Sequence, residues 1–382
     1  MISDVYFPRV NGVSTSIKTF RDELPNFGVA SELVVPGYPG QADERDDSIV
    51  RLQSWQVPRD PEDRLIRPGA LGFFRRGIGP GDFDIVHVQT PFAAHYTGVA
   101  IARELRIPVV ESYHTYFEHY LHHYVPWVPA SLTRLLARRI TVSQCRAVDR
   151  VIAPSTQMAA ALRAYGVDTP IEVLPTGIPA PGFVLGNGAR FRAGHGIEPS
   201  RPVATFVGRV AHEKNIDFLV SMLPMLRERV PDVLLVIAGE GPARAHCERQ
   251  VAAAGLEGNV RFVGYLDRAG ELMDCYRAAD VFVFASRTET QGLVLLEAMA
   301  QGTPVVSTAV MGTIDVLAQA EGAVVVEENE QAFAAAVAGL LTDPARRAEL
   351  GDRARSYAQE WSARALAGRL AALYRTLRTG KR

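Results

Sequence analysis

The sequence predicts an α/β protein of two Rossmann-like domains, each built on a parallel sheet. Three observations carry that expectation. The length of 382 residues exceeds the roughly 250 to 300 at which a single hydrophobic core stops growing. Short apolar runs alternate with helical patterns from end to end, as in stacked β-α units around a parallel sheet. A stretch rich in proline and glycine divides those units into two sets.

Taken in order, the candidate strands of the first half span residues 30–36, 85–89, 109–113, 150–153 and 171–174. Those of the second half span 204–208, 233–238, 260–263, 281–284 and 305–307. Met1-Ile2-Ser3-Asp4 reaches its first loop after very few residues, whereas a buried strand usually needs about five or six. We therefore expect a late start or a clipped first strand. Residues 175–187 contain Pro175, Pro179, Pro181, Gly177, Gly182 and Gly186, the punctuation of a hinge. Residues 358–378 read as one amphipathic helix with Trp361, Leu366, Leu370, Leu373 and Leu377 near one face. The expected boundaries are a first domain at 1–178, a linker at 179–187, a second domain at 188–357 and a terminal helix at 358–382 that packs back on the first domain.

Composition narrows the class. The chain is 47% hydrophobic and 22% charged, as ordinary globular proteins are. Lys plus Arg (41) almost balances Asp plus Glu (42), so no global field recruits nucleic acid. Cys145, Cys247 and Cys275 are far apart and lack C-x-x-C spacing, which predicts reduced thiols rather than a disulfide framework or zinc site. No apolar run reaches the roughly 18 to 20 residues that span a bilayer, and the N-terminus lacks a basic stretch before an apolar core. The expected location is cytoplasmic.

The candidate chemistry sits in turns that follow apolar strands. After residues 281–284, Ala285-Ser286-Arg287-Thr288-Glu289-Thr290-Gln291-Gly292 leads into a helix starting near Leu293. The backbone amides of Gly292 and Leu293, with the positive end of the helix dipole, suit a phosphate. Glu297 falls in the first turns of that helix, where a carboxylate can accept from both hydroxyls of a ribose. After residues 204–208 comes Arg209-Val210-Ala211-His212-Glu213-Lys214-Asn215. Gly208 frees this turn, and Arg209 with Lys214 suit a diphosphate that gains charge as its bond breaks. In the first half, Pro8-Arg9-Val10-Asn11-Gly12-Val13-Ser14 is a third such loop, its Gly12 able to bring backbone N–H close to phosphate. Any one of these turns is ordinary. Three at strand ends are not, because open α/β sheets bind ligands beyond the carboxyl ends of their strands.

With these turns, the chain resembles the retaining family 4 glycosyltransferases of the GT-B architecture over nearly its whole length. The resemblance also rests on His114-Thr115, Pro154-Ser155, Leu174-Pro175-Thr176-Gly177-Ile178, Glu213-Lys214-Asn215, Gly239-Glu240-Gly241-Pro242, Phe262-Val263-Gly264 and Glu289-x7-Glu297. It implies two Rossmann-like domains facing each other across a cleft, and a nucleotide-sugar donor. Arg209 and Lys214 would neutralise the diphosphate, Glu297 would bind the ribose, and Glu289 would touch the donor hexose. Gly12 and the Gly292–Leu293 turn would supply amides, Gly208 and Gly264 would shape the donor pocket, and His114 would lie near the sugar hydroxyls. The resemblance implies attack on the face that the phosphate leaves, with no cofactor and no metal, and no D-x-D follows a candidate strand. Two departures concern loops: Pro179 stands where relatives tend to carry Asp or Asn, and Val326-Glu327-Glu328 replaces a more usual Pro-Gly segment.

The acceptor side is less specific. His114 to Trp127 is dense in aromatics and precedes Leu132, Leu135, Leu136 and Ile140 interleaved with Arg134, Arg138 and Arg139. Leu71-Gly72-Phe73-Phe74-Arg75-Arg76 has the same character. Such segments suit an anionic membrane surface, and the aromatic run is similar to that of enzymes that glycosylate diacylglycerol or related lipids. The expected acceptor is a lipid at the inner membrane face, with the enzyme peripheral there; a soluble or polysaccharide-precursor acceptor is the alternative. Rival readings of the same fold are a nucleotide-sugar epimerase, a phosphorylase, for which no pyridoxal lysine recommends itself, and a non-catalytic nucleotide-sugar binding module.

Overall fold

Strands such as Val203–Val207 and Leu234–Ala238 show no polar alternation, are apolar but for Thr205, and are buried at every position, because helices cover both faces of a parallel sheet. The computed structural model describes residues 1–9, 11–39, 46–57, 60–114, 130–268, 270–319 and 321–380. The chain divides into two units, one comprising Met1–Gly177 and Ala363–Arg382, the other Ile178–Ser362.

The first unit carries strands β1 (Leu33–Pro36), β2 (Ile49–Leu52), β3 (Ser54–Val57), β4 (Asp60–Ile66), β5 (Val86–Val88), β6 (Val109–Ser112), β7 (Arg150–Ala153) and β8 (Ile171–Val173). β1 pairs with β2, and β5 to β8 pair in sequence, all parallel. Ile2 bridges Val34 of β1 on one side and Val88 of β5 on the other. The expected short first strand is thus a single bridging residue at the centre of the sheet, giving the order β2-β1-Ile2-β5-β6-β7-β8. β3 and β4 form a separate antiparallel hairpin.

The second unit carries β9 (Val203–Val207), β10 (Leu234–Ala238), β11 (Val260–Gly264), β12 (Val281–Phe284), β13 (Val305–Ser307) and β14 (Ala323–Val325). Their spatial order is β11-β10-β9-β12-β13-β14, all parallel. In chain order this is 3-2-1-4-5-6, the dinucleotide-fold topology, whose order reverses between its first and fourth strands. Here those are β9 and β12, so the crevice lies beyond their carboxyl ends.

The structure redraws the expected linker. Residues 179–187 include a 3₁₀ turn at Ala180–Phe183 and belong to the second unit. The fully buried Gln301 amide donates to the carbonyls of Gly182 and Val184, and its oxygen accepts from the Gly186 amide. The prolines and glycines therefore shape a docked segment. The chain passes between units at Gly177–Ile178 and again at Ser362–Ala363, and Ile178 and Ser362 pair as a parallel bridge.

The terminal helix is likewise shorter than the expected 358–382. One helix ends at Gln359 (Pro344–Gln359) and the next begins at Ala363 (Ala363–Gly380). Trp361, between them, packs on the second unit's core. Leu366, Leu370 and Tyr374 of the last helix share a core with Phe20, Leu24, Val110 and Ile152 of the first unit. The Tyr374 hydroxyl hydrogen-bonds His87 Nδ1 at 2.5 Å, and His87 Nε2 bonds the Ser112 hydroxyl at 2.8 Å.

Candidate active site

In the second unit the post-strand turns converge at the carboxyl edge of β9 and β12. The Arg287 amide donates to the Glu213 carbonyl at 3.1 Å, which ties the turn after β12 to the turn after β9. Lys214 Nζ donates to Glu289 Oε2 at 2.7 Å, with both side chains about one-fifth exposed (19% and 21%). Arg209 is exposed, and its guanidinium has no hydrogen-bond or ion-pair partner among the described residues. The site thus holds one cation that is spoken for and one that is available.

Two glycines are required by shape. At Gly239, after β10, a Cβ would overlap the Gly208 carbonyl oxygen; the two turns pack backbone to backbone, with the Gly208 amide donating to the Ala238 carbonyl at 3.0 Å. Gly292 has φ +91°, and a Cβ there would meet Thr313 Cγ2 at 2.9 Å. It starts the helix Leu293–Ala300, so the amides of Gly292 and Leu293 precede the helical ladder and point outward as donors. Gly264 closes β11, and its carbonyl accepts the Gly239 amide at 2.7 Å.

Glu297 lies on that helix and is buried. One oxygen accepts the buried Tyr276 hydroxyl at 2.8 Å and the other is paired with Arg268. Glu289 and Glu297 therefore do different work: the first orients a lysine at the turn, the second sits under an arginine deeper in the unit. Beyond them, Arg287 grips Glu328, which follows β14, and this hydrogen-bonded pairing holds the Glu328 carboxyl below its ordinary range.

In the first unit, Gly12 opens the helix Gly12–Glu23 and is exposed, with Asn11 capping by accepting the Ser14 amide at 2.9 Å. Val10 of the same loop lies outside the described residues. His114 follows β6, and its Nε2 bonds Gln89 Oε1 at 3.0 Å. Burial lowers the His114 imidazole from its usual 6.5 to about 4, so it is neutral at physiological pH. The unfolded chain binds a proton there below about pH 6.5 and the folded unit only near 4, so this residue withdraws stability as pH falls through that window. His114→Gln should accordingly lose less Tm than the parent between about pH 7 and pH 5; equal losses would show an imidazole that titrates normally.

Sequence reasoning missed Asp4. Buried at the centre of this sheet's edge, it accepts from the Thr90 hydroxyl at 2.7 Å and from the Ala94 amide at the start of the helix Ala93–Leu105. Burial pushes its carboxyl up to about 6. It also missed Arg268 and Tyr276, which no spacing rule connects to Glu297. Of the candidate membrane segments, the aromatic run from Thr115 to Trp127 lies outside the described residues. Phe73 is 75% exposed and Leu135 and Leu136 are about half exposed, while Arg75 is paired with Glu104 and Arg138 stacks over Tyr165. No described helix is long and apolar enough to cross a membrane, and no described group of three His, Cys, Asp or Glu is placed to hold a metal ion.

Two doubly wound units, the second with Arg209 and the Lys214–Glu289 pair at its switch point, have the architecture of a GT-B glycosyltransferase. Residues 189–357 match the family described as Glycosyl transferases group 1, and residues 10–180 match Glycosyltransferase Family 4. The alpha-monoglucosyldiacylglycerol synthase of Streptococcus pneumoniae is 33% identical over 322 residues, covering 80% of this chain and 70% of the relative. The GDP-mannose-dependent alpha-(1-6)-phosphatidylinositol monomannoside mannosyltransferase of Mycolicibacterium smegmatis is 30% identical over 98% of this chain and 97% of its own. Among solved structures, Anabaena HepE in complex with UDP superposes with a TM-score of 0.76 at 16% identity, over 98% of both chains. The chain belongs to this group 1, family 4 class of glycosyltransferases.

Proposed function

We propose that the protein is a retaining hexosyltransferase that moves sugar from a UDP- or GDP-linked donor to a membrane lipid such as diacylglycerol, without a metal ion. The observation that carries this reading is the convergence at one switch point of the turn bearing Arg209, whose guanidinium has no partner among the described residues, the Lys214–Glu289 pair and the Gly292–Leu293 amides. That set offers the positive charge and N–H donors that a diphosphate takes. As the glycosidic bond to phosphate breaks, charge grows on the leaving oxygens, where Arg209, Lys214 and the helix N-terminus stabilise it. Glu289 holds Lys214 in place and reaches the hexose, and Glu297 receives the ribose. From the first unit we assign His114 to the hexose hydroxyls and the Gly12 amide to phosphate. The acceptor hydroxyl attacks the face that the phosphate leaves and passes its proton to a departing phosphate oxygen, so that no protein base is needed.

Support for a lipid acceptor comes from the names of the two relatives above, a glucosyldiacylglycerol synthase and a phosphatidylinositol mannoside mannosyltransferase. The exposed Phe73, Leu135 and Leu136, with Arg139 nearby in sequence, give the first unit the apolar and basic character that anionic headgroups attract.

The test is calorimetric titration with a panel of UDP- and GDP-sugars in EDTA, with and without anionic liposomes, followed by turnover measurements. We expect one donor to bind, turnover to survive EDTA, and liposomes to raise it. A metal requirement would overturn the metal-free mechanism. Turnover indifferent to liposomes would point instead to a soluble acceptor, and binding with no transfer to a non-catalytic module.

A further inference from the structure

We infer that Arg268 is a positioning residue for the nucleotide ribose, fixing the Glu297 carboxylate so that its free lone pairs meet the sugar's hydroxyls. This rests on the assignment of Glu297 to the ribose. The Glu297 side chain is only 6% exposed, whereas that of Arg268, on the loop after β11, is 46% exposed. A carboxylate so buried is tolerable only when paired and hydrogen-bonded. Its partners come from two different elements: the Tyr276 hydroxyl from the helix Glu271–Ala278, beneath it, and the Arg268 guanidinium from the loop, on its solvent side. Each partner takes one carboxylate oxygen.

An ionised carboxylate has about four acceptor positions. With one filled on each oxygen, a second remains on each, the arrangement that a vicinal diol can satisfy with two O–H donors. Two donors, one on each oxygen, also restrain the carboxylate from rotating about its own axis. The Glu297 charge is the main cause that raises the Arg268 guanidinium further above its ordinary range. Arg268 therefore acts through Glu297, and its removal should be felt by the ribose hydroxyls more than by phosphate or base.

The experiment is a chemical double-mutant cycle on the full chain, titrating UDP, GDP and their 2′-deoxy forms into the parent, Arg268→Ala, Arg268→Lys and Glu297→Gln. The parent should prefer the ribonucleotide by about tenfold or more, as expected for one hydrogen bond to a charged acceptor. Arg268→Ala should cut that preference to within about twofold and raise donor KM with kcat nearly unchanged. Arg268→Lys, which keeps the charge without the fork, should fold as the parent does and keep part of the preference. A ribose preference that survives Arg268→Ala, or an equal loss for ribo and deoxy forms, would overturn the inference. Glu297→Gln separates the two levels. If it too keeps the parent's preference, the assignment of Glu297 to ribose is wrong. If it loses the preference while Arg268→Ala keeps it, only the role of Arg268 falls.

Discussion

Arg209→Ala is expected to lower turnover by about 100-fold, roughly 2.7 kcal/mol of transition-state stabilisation, while leaving the melting temperature close to that of the parent. The second half of that expectation comes from the structure. Arg209 is exposed and has no partner among the described residues, so its loss leaves no buried group unsatisfied and no packing void. Lys214 is different, because its ammonium already meets Glu289 at 2.7 Å and its removal would strand a carboxylate at the turn. An exposed arginine with no partner among the described residues, in the same post-strand turn as Lys214, is poorly explained as a stabilising element and well explained as a ligand-directed one. Steady-state kinetics with the donor identified by calorimetry checks the point, and near-normal turnover would remove Arg209 from the mechanism.

Glu297→Ala is expected to weaken nucleotide binding by on the order of 100-fold, and Glu289→Ala by less than about tenfold, with the larger effect of Glu289 falling on turnover. Two hydroxyls donating to a charged acceptor are each worth about 1.5 to 3 kcal/mol, and the buried position of Glu297 keeps water from replacing it. Glu289 is assigned to the hexose, which a free nucleoside diphosphate lacks, and touches the diphosphate only indirectly by orienting Lys214. Calorimetry with UDP and GDP, beside thermal melts that establish folding, measures the difference. Equal losses would undo the division of labour between the two carboxylates.

Much of this site was legible without coordinates because its chemistry is local. A strand, a glycine and a helix start define an anion-binding turn whatever surrounds them, and Gly208-Arg209, Lys214 and Glu289 to Leu293 all fall where the apolar runs stop. The core strands were legible for a related reason. Those buried on both faces must be almost wholly apolar, and β9, β10, β12 and β13 are buried throughout with Thr205 and Ser307 as their polar residues. The strands that escaped notice are the ones relieved of that demand. β2 is half-buried along its whole length, β4 reads Asp-Pro-Glu-Asp-Arg-Leu-Ile, and β14 stands at a sheet edge with its last residue exposed.

Composition misled in one place. Proline and glycine at 179–187 mark a backbone that must bend, but bending serves a docked segment as well as a hinge, and the residue that decides between them is Gln301, more than 100 positions away. The terminal helix erred by continuity, since heptad-like spacing carried on through Trp361 although that residue packs on a different unit from Leu366.

By itself, then, the sequence determined the fold class, the central strands, the places of the post-strand turns and the family, all of which depend on residue type and short-range spacing. Only the tertiary structure decided which side chains meet: Asp4 with Thr90, Lys214 with Glu289, Arg268 and Tyr276 with Glu297. Those partners lie 21 to 86 residues apart. They come together because the sheet order reverses at its first strand, a property of how strands assemble that no local periodicity encodes.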